Sequence, residues 1–171
     1  MVERGIIKEE EQELYQFGIR NGMILLLNVV TALVIGLLTE QLAVVAVFTL
    51  SFMVLRSYTG GYHSDSRIFC YLGSNLVLLV PVYTQAVFYK TSLAWLLAVL
   101  LVSAGIIFLL SPMHSKNRKL DKEEQKHFGR KARLIAALEL AVLGILWHAG
   151  QIPYAYAVYT GIFTTALFML V

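Results

Sequence analysis

Cysteine is all but missing from this chain: one residue, Cys70, in 171. A single thiol excludes an internal disulfide, so Cys70 is a buried apolar filler, a metal ligand or a nucleophile. Acidic residues are scarce where transport would need them. Glu139 is the only one well inside an apolar run, so the midplane charge pattern of a pump or channel is weak. Internal repeats and low-complexity tracts are absent. The basic start followed directly by an apolar stretch that marks a secretory signal is missing too, because residues 1–21 mix Glu3, Glu9, Glu10, Glu11 and Glu13 with three basic residues. The N-terminal segment is therefore expected to stay.

Apolar residues are abundant. They make up 58% of the chain, and mean hydropathy is +0.69, against the roughly 45–50% apolar usage of a soluble domain. The composition predicts an all-α integral membrane protein with one membrane domain, 1–171, and helices packed in lipid. Apolar runs lie at about 22–39, 41–55, 70–89, 92–111, 134–149 and 152–171. About six transmembrane helices are expected. The range is four to six, because 41–55 and 134–149 fall short of the roughly 20 residues that a perpendicular span needs.

Basic residues orient these runs, since positively charged loops are retained in the cytosol. With both termini cytoplasmic, thirteen of the fourteen Lys and Arg fall inside and only Lys90 falls outside. The expected order is a cytoplasmic amphipathic arm (1–21), a first helical hairpin (22–55), a segment at the cytosolic interface (56–69), a second hairpin (70–111), a basic cytoplasmic loop (112–133) and a third hairpin (134–171). In the arm, Ile7, Leu14 and Phe17 fall near one side of a helix with the glutamates elsewhere. That pattern predicts an interfacial helix leading into the first span, a partly frayed charged arm being the other reading.

The stretch RSYTGGYHSDSRIFC, residues 56–70, gathers the only Cys, a His and two adjacent glycines at the cytosolic edge of an apolar run. Imidazole can take a thiol's proton and stabilise the thiolate near neutral pH, which makes His63 and Cys70 a candidate base and nucleophile. On one continuous helix their spacing would put them about 10 Å apart along the axis, beyond the roughly 3 Å of proton transfer, so the segment must fold back. Gly60 and Gly61 supply the freedom for a turn, and Asp65 or Ser66 can cap a helix beginning near Arg67. Cys70 then sits about one turn into that helix, near its positive end.

Blander readings stand beside these. Cys70 alone is packing, and His63 alone is a solvated interfacial residue. Asp65 either caps the helix or orients His63, and Arg56 either snorkels to the headgroups or holds substrate. One Cys with one nearby His supplies only two of a zinc site's three or four ligands, so no metal and no cofactor is expected. His114 and His127, in or beside the basic loop, read as solvated, and His148 lies at the outer interface.

Arg56, Tyr58, Gly60, Gly61 and His63, in the pattern R-x-Y-x-G-G-x-H, followed after six residues by Cys70, closely resemble the signature of the accessory gene regulator B (AgrB) family. Phe17, Gly18 and Ile19 resemble that family's aromatic-Gly-aliphatic motif before its first span. Pro112 with Asn117, Arg118 and Leu120 resembles its proline-to-basic-loop junction, with Ser111 and Met113 as minor departures.

The resemblance implies a multi-pass cell-membrane cysteine endopeptidase of a Gram-positive bacterium. Its substrate would be a small precursor peptide of the AgrD type, processed on the way to a cyclic quorum-sensing pheromone, with the matching Cys as nucleophile and the matching His as base. It also allows a homodimer. No nucleic-acid partner is expected. The basic loop reads first as an anchor on anionic lipid headgroups; the functional alternative is that Lys116, Arg118, Lys119 and Lys131 hold an acidic precursor tail. Backbone N–H groups near Gly60 and Gly61, or at the start of the Cys70 helix, are candidates for stabilising an oxyanion. The rival class is a non-catalytic membrane protein, a small peptide transporter or an assembly partner. Clustering of polar residues at the cytosolic edge argues against it.

Overall fold

The structure, a computed structural model, describes residues 12–60, 67–113 and 121–170, with only the backbone given at 12–14, 16, 17, 20, 21, 67–72 and 122. Every regular element in these stretches is helical. Helix α1, Gln12–Leu38, runs without a break from the charged arm into the first apolar run. Gln41 N–H then bonds back to Gly36 O at 2.9 Å, and Glu40 takes a positive φ of 57° in the turn. Helix α2, Leu42–Thr59, crosses α1 so closely at Gly36 that a Cβ there would lie 2.8 Å from Leu42 Cα.

The run expected at 70–89 is divided into α3, Arg67–Tyr83, and α4, Gln85–Lys90. Pro81 lies inside α3 just before the division, where it cannot donate the bond to Val77 O. The break is filled by side chains. Tyr156 Oη donates to Pro81 O at 2.9 Å and shares a 2.7 Å hydrogen bond with Thr84 Oγ1, which also reaches Val80 O at 2.8 Å.

Helix α5, Leu93–Leu110, is followed by α6, Lys122–His148, and α7, Ile152–Leu170. The basic stretch expected as a loop over 112–133 is thus helical from Lys122 onward. Asp121 is the reason, since it stands at the N-cap and its N–H bonds to Glu124 Oε2 at 3.3 Å. Gly150, at φ 72°, ends α6: its N–H reaches Trp147 O, and Gln151 N–H reaches Leu146 O at 2.9 Å. This is a Schellman closure, which needs a residue that tolerates positive φ.

Helix α7 is the hub, packing most extensively on α2, α5 and α6. Its buried face is rich in small and hydroxyl residues: Ala155, Ala157, Thr160, Gly161, Thr165 and Ala166. Such residues let helix backbones approach without a hydrophobic driving force, as packing in lipid requires. Their hydroxyls are satisfied locally, Thr160 Oγ1 on Tyr156 O and Thr165 Oγ1 on Gly161 O, both at 2.9 Å. Leu55, Ile107, Ala136, Val158, Ile162, Ala166 and Met169 form the core where α2, α5, α6 and α7 meet.

Helices α2, α5 and α7 are long and apolar enough to cross a membrane; the apolar part of α1, Gly22–Leu38, is shorter. Of the three, α5 is the most apolar and the least buried. Its exposed Trp95, Leu101, Val102 and Leu109 would be untenable in water and suit lipid tails.

Candidate functional site

The last turn of α2 carries Arg56, Tyr58 and Thr59, and Gly60 closes it. Gly60 has φ 71° and ψ −153°, a backbone conformation essentially reserved for glycine. It lies beside the chain leaving α5. Gly60 and Met113 form an isolated parallel bridge, Met113 N–H donates to Thr59 O at 2.9 Å, and a Cβ on Gly60 would sit 2.5 Å from Met113 O. Position 60 therefore excludes a side chain twice, by conformation and by space.

The polar ends around this contact are bound in. Arg56 Nη1 donates to Gly60 O at 3.0 Å while its guanidinium lies 5.4 Å from the centre of the Phe168 ring. Arg56 thus spends donor capacity inside the protein. Tyr58 packs on Phe128 of α6 with ring centres 6.3 Å apart, and Lys131 Nζ lies 5.7 Å from the Tyr58 ring. Thr59 is completely buried, with its main chain holding Met113.

The third side of the junction is α6. A Cβ on Gly129 would stand 3.0 Å from Pro112 Cδ and 3.3 Å from Ser111 O, so this helix approaches the α5 exit as closely as a bare backbone permits. The Ser111–Pro112 peptide bond is cis. Arg133 Nε donates to Phe108 O at 3.0 Å, satisfying a carbonyl in the last turn of α5.

After residue 66 the chain is described again as α3, which places the Cys70 backbone about one turn from Arg67, where that helix starts. The Cys70 side chain, and Gly61, His63, Asp65 and Ser66, lie outside the described residues, as do Lys116, Arg118, Lys119 and the side chain of Phe17. Of the expected site residues, Arg56 and Gly60 are therefore in direct contact, and Lys131 stands on the same junction through Tyr58. Among the described residues, no three of His, Cys, Asp and Glu come together in a way that could hold a metal ion.

Sequence reasoning missed Phe128, Gly129 and Phe168, and read Met113 only as a minor departure beside Pro112. Nothing local marks them, because each acts on the motif from a distant part of the chain. Sequence reasoning did single out Glu139. Ser51 Oγ, buried in α2, donates to Glu139 Oε2 at 2.7 Å, and Ser51 adjoins α7, where a Cβ on Gly161 would overlap its Oγ. One acid and one hydroxyl thus tie α2 to α6 inside the bundle.

The family model for accessory gene regulator B matches residues 1–170. Two curated relatives, putative AgrB-like protein 2 of Clostridium perfringens (strain 13 / Type A) and putative AgrB-like protein of Clostridium perfringens (strain SM101 / Type A), are each 24% identical over 131 residues. These alignments cover 73% of this chain and 61% of each relative. Accessory gene regulator protein B of Staphylococcus intermedius is 26% identical over 132 residues, covering 75% of this chain and 70% of that protein. The chain thus spans about three fifths of the length of the two Clostridium relatives. No solved structure matches it.

Proposed function

Because the chain belongs to the accessory gene regulator B family, we propose that it is a membrane-embedded cysteine endopeptidase that processes a small AgrD-type precursor toward a cyclic quorum-sensing peptide. The observation that carries this reading is the layout of the motif. R-x-Y-x-G ends α2 in a glycine-only conformation, and the chain is helical again at Arg67, so Cys70 belongs to the start of a helix and His63 falls between the two helices in sequence. A helix N-terminus favours a thiolate, and a neighbouring imidazole supplies the base.

In the proposed reaction His63 removes the Cys70 thiol proton. The sulfur attacks the carbonyl carbon of the peptide bond that follows the pheromone segment. The C–N bond breaks, the departing amine takes the proton from the imidazolium, and the tail leaves with a thioester remaining on Cys70. A Cys or Ser side chain of the precursor then attacks the thioester and displaces Cys70, closing a thiolactone or lactone ring. Thioester exchange is nearly balanced whereas hydrolysis runs downhill, so water must be kept away until the ring closes, and a site at the lipid boundary favours that. Gly61 and Asp65 belong to this segment as supporting residues, Asp65 as helix cap or His63 partner.

The topology proposed with this function has six crossings and both termini in the cytosol: α1, α2, α3 with α4, α5, α6 and α7 alternate in direction, and the basic residues about α6 stay inside. The site then faces the cytosol of a Gram-positive cell. Lys131, with Lys116, Arg118 and Lys119, offers an acidic tail a place to bind, and a homodimer is compatible with this arrangement. Replacing Cys70 with Ser should abolish release of the tail from a reconstituted precursor. Normal cleavage by that variant would remove the mechanism.

A further inference from the structure

Gly60, Met113 and Gly129 are far apart in sequence and belong to α2, the α5 exit and α6, yet one tight junction links them: a Cβ on Gly60 would meet Met113 O, and a Cβ on Gly129 would meet Pro112, the residue before Met113. We infer that this contact is a clasp that sets where the motif segment leaves α2, and that Gly129 is a positioning residue for the chemistry on that segment. The inference rests on the cysteine peptidase reading above and extends it to a residue outside the motif.

The parts fit this role in sequence. The Arg56 guanidinium holds Gly60 O from the α2 side, and Met113 N–H holds Thr59 O from the other. The Pro112 ring and Ser111 O in turn rest against Gly129, so the position of the α5 exit depends on how near α6 can come. Enlarging residue 129 pushes Pro112 and Met113 away, and Met113 carries the strand-like contact to Gly60 with it. The Met113 support for the start of the motif segment is then displaced by a few tenths of an ångström or more. His63 lies three residues beyond Gly60 in the sequence. A base misplaced by about 1 Å can lose on the order of 100-fold in rate.

The same helix supplies a control. Gly144, also in α6, has open space around its Cα, so Gly144→Ala adds a methyl group that meets nothing. The experiment uses the full chain in lipid vesicles with a synthetic AgrD-type precursor peptide. It follows the single-turnover rate of tail release and, separately, the pH dependence of Cys70 alkylation by iodoacetamide in wild type, Gly129→Ala, Gly129→Val, Gly144→Ala and His63→Ala.

Tail release should fall roughly 10-fold in Gly129→Ala and about 100-fold in Gly129→Val, with precursor affinity within about twofold of wild type. The inflection of the alkylation profile should move toward that of His63→Ala, and Gly144→Ala should follow wild type in both measurements. Wild-type rates and profiles in both Gly129 variants would overturn the clasp. So would a loss of rate in the milder Gly129→Ala, measured on folded protein, with the alkylation profile unmoved. A Cys70→Ser variant tested alongside keeps the two readings apart: if it still releases the tail, the peptidase reading fails whatever the Gly129 variants do.

Discussion

Among the described glycines, Gly60 and Gly129 belong with Gly36 and Gly161 to the few at which an added methyl group would meet a close neighbour. At Gly60 an added Cβ would face Met113 O in a backbone conformation that only glycine adopts readily, which costs about 1–3 kcal/mol in strain before the steric overlap is counted. Gly60→Ala should therefore lower the stability of the purified protein in thermal unfolding and abolish tail release, whereas Gly105→Ala, on open space in α5, should leave both unchanged. Equal unfolding temperatures for the two variants would contradict the tight junction. The motif was legible at this scale because its residues are contiguous. Their reasons were less so: Gly60 was expected to give freedom to a turn, and it also admits Met113. The partners that hold Arg56 and Tyr58, Phe168 and Phe128, lie too far along the chain for local pattern to connect them.

Among the elements, α2 and α6 are joined inside the bundle by Ser51 and Glu139. A carboxylic acid among apolar helices is tolerated when it is hydrogen-bonded, and such bonds between membrane helices contribute about 0.6 kcal/mol on average. Glu139→Gln keeps an oxygen that accepts from Ser51 and should unfold as wild type does. Glu139→Leu removes it and should destabilise by about 0.6 kcal/mol or somewhat more, a difference that steric trapping in bicelles can measure. If Gln proves as damaging as Leu, the carboxyl has a role beyond the bond to Ser51. Hydropathy located the apolar parts of all these helices but not their ends. The extension of α6 to Lys122 was concealed by its charge, although Asp121 and Glu124 spell a helix start, and the break at Thr84 leaves no mark in a count of apolar positions. Contacts between elements, such as α7 at the hub, depend on which small residues face each other and cannot be read from any one segment.

For the whole molecule, the proposed orientation rests on the basic residues about the start of α6. In a variant with Cys70→Ala, a single cysteine at Lys90→Cys should react with an impermeant maleimide from outside the cell, and one at Lys126→Cys only after the membrane is opened. The reverse pattern would invert the proposed topology. The central claim is that Cys70 carries the acyl group of the precursor. The measurement that tests it most directly is mass spectrometry of the lipid-reconstituted protein after brief mixing with an AgrD-type precursor peptide. The account predicts a mass increase on Cys70 equal to the precursor without its tail, absent in His63→Ala. An unmodified Cys70 beside a cleaved precursor would contradict it.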